Sequence, residues 1–231
     1  MTSFIAVINA GSSSVKFAIY EATKEERRHF RGQIEGIGVK PHLRIADAED
    51  RVVEDRALPA EGYDHDAATR QILEAGRTLI KGAPVVAFGH RVVHGGLRYD
   101  RPVRVTEAVL DELSKLNPLA PLHQPHNLAP IRTILKVAPQ IPQVACFDTA
   151  FHRGQSHLAQ AFALPRRFSF GATDFMVSPT SFSRRGLPNS PPNSPALGSS
   201  LRISATARVC ARWRMAAALR RRWDSPQSTA S

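Results

Sequence analysis

Cysteine is scarce in this chain of 231 residues, which contains only Cys146 and Cys210. Two cysteines cannot staple a small fold with several disulfides, and they do not supply the ligand set of a structural zinc site. Long apolar runs are also missing: no stretch approaches the roughly 20 residues that a membrane-spanning helix needs, and no charged-then-apolar segment resembles a secretory leader. These absences predict a cytoplasmic protein that contacts no membrane.

The positive charge of the chain is unevenly distributed. Of the 31 Lys and Arg residues, nine follow residue 170; all nine are arginines, and only Asp174 and Asp224 oppose them. This last stretch has no Lys, Glu or His, and it holds both tryptophans of the chain. The composition therefore divides the chain into a segment 1–170 and a tail 171–231, and we expect the tail to be disordered. Arginines could bind nucleic acid through its phosphates, but the tryptophans lie in no recognisable stacking platform, so nucleic acid is the weaker alternative.

A β-hairpin with a small polar turn is predicted near the beginning of the chain. The runs 4–8 and 15–20 are mostly apolar, as buried strands are, and residues 9–14 between them read Asn-Ala-Gly-Ser-Ser-Ser. Gly11 permits a positive φ angle and a close backbone approach, and the surrounding hydroxyl and N–H groups could hold an anion such as phosphate. The alternative is an ordinary serine-rich surface turn. The turn is not a P-loop, because the second glycine and the Gly-Lys-Ser/Thr ending are missing.

The rest of segment 1–170 alternates between strand and helix patterns. Loose alternation or short apolar runs indicate strands, and apolar residues at helical spacing, with end signals such as Gly82 and Thr106, indicate helices. The predicted further strands are 29–35, 42–45, 84–88 and 143–147, and the predicted helices are 64–81, 106–116 and 127–137. Antiparallel strands followed by helix, strand, helix and strand predict an α/β domain with a mixed sheet.

Polar and charged side chains collect where the predicted apolar strands end, which is where α/β sheets bind their ligands. Phosphoryl transfer uses this inventory: a fixed cation and donors for the transferring group, a carboxylate and an amide oxygen for Mg²⁺, and imidazole donors. Simpler roles stay open, because histidines beside an apolar strand are often structural, a lysine can mark an exposed strand position, and an aspartate can cap a helix. The candidates are Asn9, Ser12, Ser14, Lys16, His90, Arg91, His94, His123, His126 and Asp148.

Four motifs make this set specific. They read INAGSSSVKF from Ile8, GHRVVHGG from Gly89, APLHQPHN from Ala120 and VACFDTAFH from Val144. In this order, across residues 4–155, they resemble the motifs of the acetate and propionate kinases. The resemblance implies a ribonuclease-H-like domain of the actin, Hsp70 and sugar kinase superfamily, paired with a second domain across a cleft, usually in a homodimer. It implies transfer of the γ-phosphoryl group of ATP to acetate, with Mg²⁺, to give acetyl phosphate and ADP.

The resemblance also implies roles on the phosphoryl side of the site. Asn9 would help to hold Mg²⁺ or its water shell. Ser12, Ser14 and Lys16 would lie near the transferring phosphoryl group, and His123 would donate to its oxygens.

On the acceptor side, the resemblance implies that Arg91 stabilises the carboxylate and the transition state, because its planar donor fork suits charge spread over several oxygens. Asp148 would orient the metal and acetate. Val93 and Leu122 would line a small apolar pocket for the methyl group. Such a pocket discriminates by only about 1–3 kcal/mol per methylene, so propionate or butyrate stays open as an alternative acceptor.

The resemblance stops after Phe170, where the family would continue with Tyr-Gly-Phe-His-Gly and a second domain that holds the nucleotide site. A change of reading frame explains the break. If the last base of each codon is read with the first two of the next, residues 172–177 can encode Tyr-Gly-Phe-His-Gly, and 202–209 and 222–230 also yield family-like motifs. We therefore interpret residues 171–231 as an out-of-frame tail, and we expect the chain as written to lack the second domain and to be inactive.

Overall fold

Eight strands form one mixed sheet in the computed structural model, which describes residues 2–150. In chain order the strands are β1 (Phe4–Ala10), β2 (Ser14–Glu21), β3 (Arg28–Glu35), β4 (His42–Ala46), β5 (Val52–Ala57), β6 (Val85–Val92), β7 (Val103–Arg104) and β8 (Gln143–Phe147). Across the sheet the order is β5-β4-β3-β2-β1-β6-β8-β7. The predicted mixed α/β sheet is confirmed. The predicted disorder of the tail 171–231 concerns residues outside the described part of the chain.

The first five strands form an antiparallel meander. β1 pairs with β2 from Phe4 opposite Glu21 to Ala10 opposite Val15, which confirms the predicted hairpin. β3, β4 and β5 then follow, each antiparallel to the strand before it. β5 was not predicted, because its residues, VVEDRA, are exposed on both faces and carry no apolar alternation.

The remaining strands extend the sheet with parallel pairs. β6 runs parallel to β1, with Ile8 opposite His90, and β8 runs parallel to β6, with Val92 opposite Phe147. Parallel neighbours need a crossover connection, which here contains a helix. Because β1, β6 and β8 run in the same direction, their carboxyl ends meet at one edge of the sheet.

The crossover helices confirm the predicted elements with shifted ends. They are α1 (His65–Leu79), α2 (Glu107–Ser114) and α3 (Gln124–Val137). The Asp64 carboxylate caps α1 by accepting from the Ala67 N–H at 2.9 Å, and the Thr106 hydroxyl caps α2. α3 begins earlier than predicted, because its first turn includes Pro125. Proline fits there because the N–H groups of a first helical turn have no acceptor within the helix, so the N–H that proline lacks is not needed.

The helices cover one face of the sheet. α1 and α3 bury a cluster that includes Ile8, Phe17 and Ile72, and α2 and α3 bury a second cluster around Leu113 and Phe147. The opposite face carries a smaller cluster of strand residues, Ile5, Val7, Ala18 and Tyr20. In the part of the chain that the structure describes, no helix is both long and apolar enough to cross a lipid bilayer.

Gly32 in β3 leaves room for the buried ring of Phe17. A Cβ atom at this position would lie 2.5 Å from Phe17 Cε1 and 3.0 Å from the carbonyl oxygen of Arg44. We expect Gly32→Ala to lower the free energy of unfolding by about 1–3 kcal/mol, because the ring and the neighbouring strand would have to move apart. Urea unfolding of the full chain measures this loss.

Gly76 in α1 provides the matched control. A Cβ atom there would meet only Ile19 Cδ1, at 3.5 Å, which is an ordinary van der Waals contact. Alanine is favoured over glycine inside a helix by roughly 0.5–1 kcal/mol, so Gly76→Ala is expected to hold or raise the free energy of unfolding. Equal losses in both variants would contradict the steric explanation.

Candidate functional site

Arg91, Asp148 and Asn9 form one hydrogen-bonded unit at the edge where β1, β6 and β8 end. Arg91 Nε donates to both carboxylate oxygens of Asp148, at 3.0 Å each, and Arg91 Nη2 donates to Asp148 Oδ2. Arg91 Nη1 donates to Asn9 Oδ1 at 3.1 Å. The structure therefore brings together three predicted site residues that lie far apart in the sequence.

The ion pair between Arg91 and Asp148 is partly buried, since their side chains are 17% and 20% exposed. Partial burial weakens screening by water and strengthens the charge-assisted hydrogen bonds. It also means that removing one partner would leave the other charge poorly solvated. The pair thus holds the guanidinium plane in a fixed orientation at the sheet edge.

Lys16 extends this row of polar side chains to β2. It lies opposite Asn9 in the β1–β2 register, so the two side chains stand on the same face of the sheet. Ser14 begins β2, and Ser12 is exposed in the turn before it. The predicted turn was too long, because Asn9 and Ala10 continue β1 and only residues 11–13 separate the strands.

Gly11 does not use the positive φ angle that its lack of a side chain permits. Its φ angle is not positive, and an added Cβ atom would lie 3.7 Å from the nearest backbone atom, the carbonyl oxygen of Ser14. An alanine would therefore fit without strain at this position. The Gly11 carbonyl oxygen accepts a hydrogen bond from His65 Nε2, at the start of α1, at 2.7 Å.

His90 does not belong to the same face as Arg91. The predicted strand ended before both residues, but β6 continues to Val92, and neighbouring strand residues point to opposite faces. His90 lies on the helix-covered face, fully buried, and burial lowers its pKa to about 4 against a weaker opposing interaction with Gln143. His90 is therefore a neutral core residue.

His94 follows β6 and is also buried. Its Nδ1 accepts from the Gly96 N–H at 2.9 Å, which places the proton of the neutral ring on Nε2. Burial lowers the pKa of His94. Both the contact and the burial favour the neutral imidazole.

A pair of imidazoles packs beside the turn between β1 and β2. His126 lies in the first turn of α3 and packs against His65 in a tilted arrangement, with ring centroids 4.5 Å apart. Burial lowers the pKa of His126, and the charges of His65 and His123 lower it further. His123 lies at the position before α3, half-buried. Sequence reasoning missed His65, although its place directly after the cap of α1 put it at a helix start.

Val93 and Leu122 lie in different environments. Val93 is 2% exposed, whereas Leu122 is 72% exposed on the loop before α3. Within residues 2–150, no shared apolar cluster includes both of them. Among the described residues, the Leu122 side chain is thus exposed to solvent.

Two buried amide side chains in the first turn of α3 were missed by the sequence analysis. Gln124 hydrogen-bonds the backbone of His94, and Asn127 hydrogen-bonds the backbone of Val93 and Ala10. Their spacing of three residues puts them on one helix face. The sequence does show that both polar residues lie within the APLHQPHN motif. Their hydrogen-bond partners are distant in the sequence, so the motif does not indicate them.

Oxygen ligands for a hard cation are present at this edge. Mg²⁺ in proteins commonly uses one or two carboxylates together with waters and substrate phosphates, and the Asp148 carboxylate and the Asn9 amide oxygen are donors of this kind. Both groups are hydrogen-bonded to Arg91. Among the described residues, no three His, Cys, Asp or Glu side chains gather as a metal centre of their own. The donor chemistry fits a cation shared with a phosphate ligand.

Comparison with known sequences gives a family match over most of the chain. The profile of the Acetokinase family matches residues 4–178. The chain is 46% identical over 167 residues to an acetate kinase of Nitrobacter hamburgensis, which covers 71% of this chain and 41% of that protein. It is 46% identical over 168 residues to an acetate kinase of Rhizobium meliloti, with 71% and 42% covered. The chain thus spans less than half the length of these relatives.

Solved structures show the same correspondence. A propionate kinase from Francisella tularensis superposes with a TM-score of 0.61 at 31% identity, covering 72% of this chain and 42% of the other. An acetate kinase from Porphyromonas gingivalis gives a TM-score of 0.61 at 32% identity, covering 71% and 41%. The mixed sheet and its helices are therefore similar to part of each of these proteins.

The buried His90 makes the stability of the chain depend on pH. Its pKa lies near 4 in the folded state against an ordinary value of 6.5, so between these values the unfolded state binds more protons, and stability falls as the pH falls. When the pH falls from 7 to 5, we expect the free energy of unfolding of the wild-type chain to fall by about 2 kcal/mol more than that of His90→Gln. Urea unfolding at the two pH values measures this difference.

Unfolding at pH 8 serves as the control, because His90 is neutral in both states there and the comparison reports only the packing cost of the substitution. The same pH dependence in both proteins would show that His90 is not the group that titrates.

Proposed function

This chain belongs to the Acetokinase family, and from that premise we propose that its residues 2–150 supply the acceptor and phosphoryl side of a kinase active site. The proposed reaction moves the γ-phosphoryl group of ATP to a carboxylate oxygen of acetate, which gives acetyl phosphate and ADP. The single observation that carries the proposal is the unit of Arg91, Asp148 and Asn9 at the carboxyl ends of three strands. The binding of ligands at such ends is typical of α/β sheets.

Arg91 has donors to spare for an anion. A guanidinium carries five N–H groups, and the contacts with Asp148 and Asn9 use one on each of its three nitrogens. One N–H on each terminal nitrogen is left outside these contacts, and two such donors suit a carboxylate or a phosphoryl group. We propose that Arg91 binds the acetate carboxylate and stabilises the charge that spreads over the phosphoryl oxygens during transfer.

Asn9 and Asp148 are the proposed protein ligands of Mg²⁺ or of its water shell. Held by these two residues, the metal would supply positive charge that partly neutralises the phosphate groups. The chain's own donors on this side would be Ser12, Ser14 and Lys16. Lys16 stands opposite Asn9 on the same face, which supports placing it beside the transferring group.

His123 and the apolar residues complete the acceptor side in this proposal. His123 would donate to the phosphoryl oxygens from the start of α3, while Val93 and Leu122 would contact the methyl group once the site is closed. The proposed acceptor is acetate; propionate is the main alternative, because one similar structure is a propionate kinase. The ratio of kcat/KM for the two acids decides between them.

We also propose that residues 171–231 are an out-of-frame translation. The family match ends at residue 178, close to the change of composition at residue 170, which supports this proposal. In that case the chain as written is inactive, and the intact enzyme has a second domain and works as a cytoplasmic homodimer, as the family resemblance implies. Resequencing of codons 160–235 tests the proposal directly.

Restoring the frame is expected to restore activity. A gene corrected by one or two bases near codon 170 should yield a protein that forms acetyl phosphate from ATP and acetate, which hydroxamate trapping measures. The chain of 231 residues, purified in parallel, should give no signal above background. Turnover by the chain as written would refute the proposed inactivity, and an inactive corrected protein would refute the proposed reaction.

Arg91→Ala in the corrected protein is expected to lower kcat by about 10²–10³-fold, as removal of a single transition-state donor does. Arg91→Lys should recover little, because an ammonium group cannot reproduce the planar fork. Arg98→Ala is the control, since Arg98 is a surface residue paired with Glu112, and it should keep the parent rate. An unchanged rate for Arg91→Ala would remove Arg91 from its proposed role.

A further inference from the structure

We infer that Asn127 and Gln124 are positioning residues, which hold the ends of β1 and β6 so that Asn9 and Arg91 meet. The consequence for catalysis rests on the proposed function of the site, but the structural statement does not. Both residues are buried, with exposed fractions of 3% and 0%. Their amide groups bond only backbone atoms in the described contacts, and most of those atoms lie within a few residues of the site.

Asn127 joins β1 to β6 at the point where their backbone pairing stops. The last paired residues of the two strands are Ile8 and His90. Beyond them, Asn127 Nδ2 donates to the Ala10 carbonyl at 2.6 Å, and the Val93 N–H donates to Asn127 Oδ1 at 2.8 Å. The side-chain amide thus takes the place of a peptide group between the strands, one residue after Asn9 and two residues after Arg91.

Gln124 holds the next part of the β6 end in the same way. The His94 N–H donates to Gln124 Oε1 at 3.1 Å, and Gln124 Nε2 donates to the His94 carbonyl at 2.9 Å. The same Nε2 also reaches the Leu113 carbonyl at 3.3 Å, at the end of α2. This pair of bonds to one residue matches what a neighbouring strand would make.

The β8 end is tied to β6 differently. The Asp148 N–H donates to the Val92 carbonyl at 3.1 Å, and the Thr149 N–H donates to the Val93 carbonyl at 3.3 Å. Arg91 and Asp148 are therefore kept in place by backbone bonds, whereas Asn127 bridges the β1 and β6 ends. Loss of Asn127 should loosen the contact of Asn9 with Arg91 and spare the contact of Arg91 with Asp148.

The test uses the full chain, labelled with ¹⁵N, and the NMR signals of the Arg91 guanidinium and the Asn9 amide. Asn127→Leu removes both bonds at similar size. We expect it to speed hydrogen exchange of the Val93 amide by about tenfold or more and to shift and broaden the Arg91 Nη and Asn9 side-chain signals. The Arg91 Nε–H signal should keep its wild-type position.

Thr133→Val is the matched control. Thr133 is a buried residue of the same helix whose hydroxyl donates to Asp66 at 2.6 Å, away from the strand ends. The substitution removes the part-buried contacts of this hydroxyl with Asp66 and with the Ala129 carbonyl, so it reports general destabilisation, and it should leave the Arg91 and Asn9 signals unchanged. The inference is overturned if Asn127→Leu leaves those signals as in the wild type, or if Thr133→Val moves them equally.

Asn127→Asp keeps the test decisive if Asn127→Leu does not fold. The carboxylate retains the acceptor for the Val93 N–H but loses the donor to Ala10, so the Asn9 signals should shift while the Val93 amide stays protected. Unshifted Asn9 signals in this variant would also overturn the inference. Because none of these readouts needs acetate or ATP, a failure of acetyl phosphate formation would count against the proposed function alone.

Discussion

The parallel pairing of β1, β6 and β8 is the constraint on which the site depends. Three strands that run in the same direction deliver their carboxyl ends to one edge, and this brings together Asn9, Arg91 and Asp148 from separate parts of the sequence. Strand alternation then decides which face each side chain uses. Because of this alternation, the side chains of Lys16 and Arg91 lie on the same face as Asn9, whereas His90 is buried in the core on the helix-covered face.

The helices hydrogen-bond the strand ends at this edge as well as covering the core. The first turn of α3 carries amide groups into the interior, where they satisfy backbone groups of the strand ends that no neighbouring strand reaches. Buried backbone groups without partners are costly, so a strand end that departs from its ladder needs a substitute partner. Here the substitute partners are the amide groups of Gln124 and Asn127, which belong to the same motif as His123. The position of α3 is therefore linked to the geometry of the site.

Much of this arrangement could be predicted from the sequence, and the misses have physical reasons. Apolar runs marked β1, β2 and β8, and capping residues marked α1 and α2, because burial and end groups leave local signals. β5 left none, since both of its faces are exposed. The motif residues could be named from their resemblance to a family, but the faces of His90 and Arg91 depended on where β6 ends. The partners of Gln124 and Asn127 are tertiary contacts, which no local pattern reports.

The pairing of Arg91 with Asp148 also affects the charge of this edge of the sheet. The guanidinium is always ionised, and its partner carboxylate balances it within hydrogen-bond distance. A neutral ion pair does not by itself favour a ligand of either sign. The sign of the charge that this edge attracts is therefore set by the side chains around the pair, of which Lys16 stands on the same face, opposite Asn9.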